Sequence, residues 1–143
     1  HEANYLYESQ EEEWWNFSKR TFECTKRMLS AAVYGIWENH GPNLWESLVD
    51  RLIENAQSFA QIVDNRPGWE LFNHPNSNIV CFRSMDFDND ALRRNMIDAG
   101  PYYLVKTVFG DQTWLRCTFQ NPLTQEEDLN GLLEGLEGIG REL

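Results

Sequence analysis

Positive charge is scarce in this chain. Its 143 residues carry 12 lysines and arginines against 23 aspartates and glutamates, a formal charge of −11. That deficit argues against nucleic acid and anionic membrane surfaces as partners, because both are held by basic side chains. No apolar run approaches the roughly 20 residues of a membrane span, and no signal-peptide pattern opens the chain. Cysteine is sparse as well: Cys24, Cys81 and Cys117 are an odd number without CxxC spacing, and read as reduced, mostly buried thiols of a cytoplasmic protein. His1, His40 and His74 are scattered without ligand spacing, so no metal site is expected. There is no Ser-His-Asp arrangement and no glycine loop to cradle a phosphate. What is present is globular: 41% hydrophobic and 24% charged residues, in a length that suits one domain with a real core. The opening HEANYLYES has neither an initiator methionine nor a strand or cap, and reads like the middle of something longer.

The rest of the chain is organised around residues 101–122, PYYLVKTVFGDQTWLRCTFQNP. Tyr102 to Phe109 and Gln112 to Phe119 are rich in aromatic and β-branched residues, and Gly110-Asp111 between them suits a two-residue type II′ turn. Along the second strand Leu115, Cys117 and Phe119 point one way, while Trp114, Arg116 and Thr118 point the other. The first face is apolar and calls for a helix layer. The second carries a cation beside a large ring. A guanidinium there is either paired structurally or offered to an anion, and structural pairs outnumber ligand sites.

Before this hairpin the pattern is helical. Residues 1–17 form a polar and aromatic tract in which Glu11, Glu12 and Glu13 precede Trp14 and Trp15. It reads as a docked loop or as a mobile lid reaching a partner. Residues 18–40 read as a helix capped by Ser18, with Phe22, Leu29, Val33, Ile36 and Trp37 at helical spacing, ended by Gly41-Pro42. Residues 43–65 are a second amphipathic helix with Asn43 and Glu46 at capping-box spacing. Its stripe is Trp45, Leu48, Leu52, Ala56, Phe59 and Val63. The period then changes: Trp69–Asn73 and Asn78–Ser84 are strands, and Asp86 or Asp88 caps a helix to about Ala99. After the central hairpin, Thr124 and Glu127 make a capping box for a last helix with Leu129, Leu132, Leu133, Leu136 and Ile139 inward. Gly131, Gly135 and Gly138 each cost about 1 kcal/mol there relative to alanine, which points to close approach to the sheet or to a helix that leans on tertiary contacts. The acidic run of this helix, Glu137 included, reads as a solvated face. Grouped helices followed by hairpin-linked strands predict an α+β domain: an antiparallel sheet of about four strands with helices on one face, preceded by a loop and a long helix pair.

Several of these segments carry a resemblance. EANYL at 2–6, RTFECTKR at 20–27, NIVCFR at 78–83, TWLRCTFQNPLT at 113–124 and the trailing EEDLNGLLEGLEGIGREL look like the C-terminal third of a group II pyridoxal-phosphate-dependent amino acid decarboxylase, of the aspartate aminotransferase-like fold (fold type I). The match spans essentially the whole chain. The resemblance implies that residues 1–40 are the mobile active-site loop and the last helix of a cofactor-binding large domain, and that residues 41–143 are the C-terminal small domain. It implies a homodimer acting on a small amino acid. It also implies pyridoxal 5′-phosphate in the full-length enzyme, held by a Schiff-base lysine upstream of the first residue here, so that this chain alone is inactive. Lys19, Lys26 and Lys106 do not match that lysine and read as surface residues.

The cofactor's ring takes up the electrons left when carbon dioxide departs. Arg116 stands where relatives acting on acidic substrates hold the distal carboxylate, and a bidentate contact there gives geometry as well as charge. Arg27 matches an arginine of the family's post-loop helix and is an interface candidate. The chain departs from the family in one respect. Many relatives place a tyrosine in the mobile loop to deliver a proton, but no tyrosine stands between Ser9 and Val33 here, and Tyr7 is the nearest candidate. Transamination or oxidative deamination therefore stays open beside decarboxylation. So does a stand-alone module that binds a small anion at Arg116.

Overall fold

Apolar periodicity decides most of the elements, and the caps decide where they begin. The computed structural model describes residues 27–143. They fall into two units, one ending at Gly41 and the other running Pro42–Leu143.

The first unit contributes helix α1, Leu29–His40. The sequence predicted a helix from residue 18, but the described helix starts at Leu29, and Ser18 and Phe22 lie outside the described residues. Met28 sits off the helical region with ψ 72° and no side-chain cap. Gly41 closes the helix, its N–H donating to the Trp37 carbonyl at 2.7 Å. No residue of α1 is buried.

The second unit is an α+β domain. In chain order it runs α2 (Pro42–Asp64), β1 (Trp69–Leu71), β2 (Ile79–Ser84), α3 (Asn89–Ala99), β3 (Val105–Phe109), β4 (Gln112–Thr118) and α4 (Glu126–Glu142). The four strands form one sheet in the order β1-β2-β4-β3, antiparallel throughout. β4 is inserted between β2 and β3, so its side chains look out from the middle of the sheet.

Two helix starts differ in detail from the sequence reading, and at a third the structure chooses between its two candidates. Pro42 is the first residue of α2, a position where its missing N–H costs nothing, so Asn43 lies inside the helix. Asp88 caps α3, accepting from the Asp90 N–H at 2.9 Å. For α4 the capping box is Gln125 with Asp128, because Thr124 is already committed to the Asn121 carbonyl.

The central hairpin turns as its sequence requires. Phe109 pairs with Gln112 across Gly110-Asp111. Gly110 has φ +60°, and among the described residues no non-glycine has positive φ. A type I′ turn needs positive φ at both positions, so the turn is of the II′ kind. β3 is shorter than predicted, because Tyr102–Leu104 leaves the sheet. Leu104 is buried in the core, its carbonyl accepts from Arg93 Nε at 3.1 Å, and the Tyr102 hydroxyl lies against Gly131 of α4.

The core lies between one face of the sheet and helices α2, α3 and α4. Phe59, Val80, Phe82, Leu92, Leu115 and Leu133 are fully buried there. Phe82 meets the edge of Phe59 at 5.1 Å and Trp69 at 5.7 Å between ring centres. The glycine reading needs one change. A Cβ at Gly131 or Gly135 meets Tyr102 or Met96, but one at Gly138 meets nothing. The tightest approach on α4 is at Gly140, where a Cβ falls 2.5 Å from the Phe87 ring.

Glu137 is not on a solvated face, contrary to expectation. Its carboxylate accepts two bonds from Arg66, Nε at 2.7 Å and Nη2 at 2.9 Å, and a third from Trp69 Nε1 at 3.2 Å. This ties α4 to the turn that follows α2. The Arg66 hydrogen bond holds the Glu137 carboxyl below its ordinary value. A carboxyl depressed in the fold gives stability that is present above its unfolded pKa, about 4.3, and lost as pH falls through the folded value. Glu137→Ala is therefore expected to lose about 1–2 kcal/mol at pH 7, since the pair still touches solvent. Urea denaturation at pH 7 and pH 3 should find that gap narrowed in acid. An equal gap at both pH values would show that the charge is not what matters.

Candidate functional site

The sheet's other face is where chemistry-bearing side chains collect. No helix of the Pro42–Leu143 unit packs on it. Residues paired across antiparallel strands share a face. Arg116 on β4 pairs with Cys81 on β2 and Val105 on β3, Trp114 pairs with Thr107, and Glu70 on β1 pairs with Arg83 on β2. The face therefore holds two cations, not the one the sequence reading placed there.

The two arginines are in different states. Arg83 is committed. Its Nε and Nη2 both lie 2.5 Å from Glu70 Oε2, and its guanidinium sits 4.8 Å over the Trp114 ring. The cation stacked on Trp114 is thus Arg83 rather than Arg116. Arg116 is half-buried at the centre of the sheet and forms no ion pair among the described residues. Its Nε is buried without an acceptor, and so is Trp114 Nε1. Phe72 stands edge-on to Trp114 at 5.0 Å and to Phe109 at 5.2 Å, forming an aromatic rim.

The two described thiols are not activated. Burial raises the Cys81 pKa, and the neighbouring Arg116 only partly offsets this. Cys117, on the helix side, is pushed up to about 12 by burial. A thiol in that state is a packing group, not a nucleophile.

Other candidates are elsewhere. Arg27 is exposed, and Tyr7, Lys19, Lys26 and Cys24 lie outside the described residues. Lys106 is on the helix face, bonded to Asp90, whose carboxylate also accepts from Thr113 at 3.1 Å. His74 sits 3.3 Å from Asp64 at the surface. Among the described residues no three His, Cys, Asp or Glu side chains are grouped to hold a metal, and no helix is long and apolar enough to cross a membrane. A groove of about 590 Å³ runs on the helix side between α2 and the start of α4, but its Arg66 is already spent on Glu137. The Arg83–Glu70 clamp escaped the sequence reading. Its signal was the β1–β2 register, which puts opposite charges face to face.

No family model matches the chain. Among curated proteins it is 30% identical over 111 residues to the 2-epi-5-epi-valiolone synthase of an Actinoplanes strain, over 76% of this chain and 26% of that one. Among solved structures it resembles the glutamate decarboxylase domain of a diaminobutyrate-pyruvate transaminase and L-2,4-diaminobutyrate decarboxylase from Vibrio parahaemolyticus, with TM-score 0.76 and 26% identity over 91% of this chain and 29% of that chain. Mouse CSAD in its apo form gives TM-score 0.74 over the whole chain and 35% of that one, at 18% identity, a likeness of fold. The chain matches a C-terminal portion of a group II pyridoxal-phosphate-dependent decarboxylase. It spans about a quarter of the length of the curated relatives it matches, 26% and 23%.

The α+β sheet with helices on one face is accordingly the small-domain fold of fold type I decarboxylases. The described residues hold one side-chain amine able to form a Schiff base. Their single lysine is Lys106, which turns away from the open face towards Asp90.

Proposed function

We propose that this chain is the C-terminal part of a pyridoxal-phosphate-dependent amino acid decarboxylase, a carboxy-lyase, and that Arg116 holds the distal carboxylate of an acidic substrate. In this reading residues 41–143 are the small domain. Residues 1–40 are the mobile loop and the tail of the cofactor-binding domain, with Arg27 at the interface of a homodimer. The cofactor and its lysine belong to the upstream domain of the same polypeptide, and the chain by itself releases no carbon dioxide.

One observation carries the reading. On the open face Arg83 is neutralised by Glu70, whereas Arg116 makes no ion pair among the described residues and its buried Nε has no acceptor. A half-buried guanidinium left unpaired is poised for a carboxylate, with which it makes short, charge-assisted bonds. The likeness to decarboxylases supports the reaction class.

The test is carbon dioxide release by the full-length protein across acidic, basic and aromatic amino acids. Acidic substrates are expected to be preferred. A preference for basic or aromatic amino acids would remove the role given to Arg116. The missing loop tyrosine favours a second outcome, transamination or oxidative deamination. Keto-acid, aldehyde and ammonia products in the same assay would distinguish it.

A further inference from the structure

Resting on that carboxylate reading, we infer that Trp114 is a second donor to the same group: its indole N–H and the Arg116 guanidinium together hold one planar oxyanion. Native folds leave few buried donors without acceptors. Four such side-chain atoms occur among the described residues, and two of them, Trp114 Nε1 and Arg116 Nε, share one face of one strand. The others, on Trp45 and Asn55, belong to α2. The two side chains leave the backbone about 6.6 Å apart on the same face, near enough for both donors to reach one carboxylate through hydrogen bonds of about 2.9 Å.

The surroundings fit a fixed donor. Trp114 is only 5% exposed although it faces away from the helices. Arg83, clamped by Glu70, lies over its ring and leaves the indole edge as the polar handle. A cation on the π face draws electron density from the ring and strengthens the N–H as a donor. The same clamp removes Arg83 as a rival for the ligand. Phe72 and Phe109, 43% and 66% exposed, form the solvent-facing rim through which an acceptor would enter. Two convergent donors select a carboxylate over its neutral amide, since the amide offers one good acceptor and turns an N–H₂ on the other donor.

The test is a titration of the ¹⁵N-labelled chain with glutarate, followed by NMR at the indole and guanidinium N–H groups. The Trp114 indole signal is the one that Trp114→Phe removes. The Trp114 Nε1–H and Arg116 Nε–H signals should move together with one shared dissociation constant. Trp114→Phe keeps a ring in place and should weaken glutarate about tenfold. Glutaramide, the diamide, should move neither signal. Movement at Arg116 alone, or unweakened binding by Trp114→Phe, would overturn the role of Trp114 and leave the carboxylate reading standing. Movement at neither group would overturn both.

Discussion

Arg116→Ala in the full-length protein is expected to cut kcat/KM for an acidic amino acid about a hundredfold, because a hydrogen-bonded charge contact is worth about 3 kcal/mol at the upper end. The physical reason is local. Arg116 sits mid-sheet between Cys81 and Val105, and no other uncommitted cation shares the face among the described residues. Arg83 cannot substitute without abandoning Glu70 and the Trp114 ring. Arg116→Lys should recover part of the loss, since a lysine keeps the charge but not the fork. Steady-state kinetics with an acidic and an aromatic amino acid would decide. Equal losses on both would mean that the variant damages the sheet, and no loss on either would retire Arg116 from the site.

Phe82→Ala is expected to cost about 4 kcal/mol of stability, a large share of what a domain of this size possesses. Phe82 is fully buried and lies against both Phe59 and Trp69. Phe59 also contacts Phe119, at 5.6 Å between ring centres. Removing the Phe82 ring leaves a cavity at the junction of α2 with β1 and β2. Phe109→Ala is the comparison, because Phe109 is two-thirds exposed and should change stability by less than about 1 kcal/mol. Urea midpoints at unchanged m-value would measure both. Similar small losses for the two variants would mean that the core is not where the burial pattern puts it.

Element types were readable from local pattern. The alternation of Leu115 and Cys117 against Trp114 and Arg116 placed the faces of β4 correctly, because a strand's period of two leaves no other choice. Gly110-Asp111 specified the turn for a similar reason: backbone sterics act on neighbouring residues. Boundaries were less readable. Thr124 had the residue type of a cap but was drawn into the Asn121 turn, and the cap passed to Gln125. Tyr102 had the composition of a strand, yet its hydroxyl packs on Gly131 of α4.

Charge partners were the least readable of all. Glu137 looked like one more carboxylate on an acidic helix, and its role depends on Arg66, 71 residues earlier in the chain. The sequence alone determined the α+β class, the apolar stripes, the two faces of the hairpin and the resemblance to a decarboxylase, since each rests on residues close together in the chain. Only the tertiary structure decided which arginine is free. Whether a guanidinium is spent or available depends on what the fold brings opposite it, and among the described residues the β1–β2 register gave Glu70 to Arg83 and no carboxylate to Arg116.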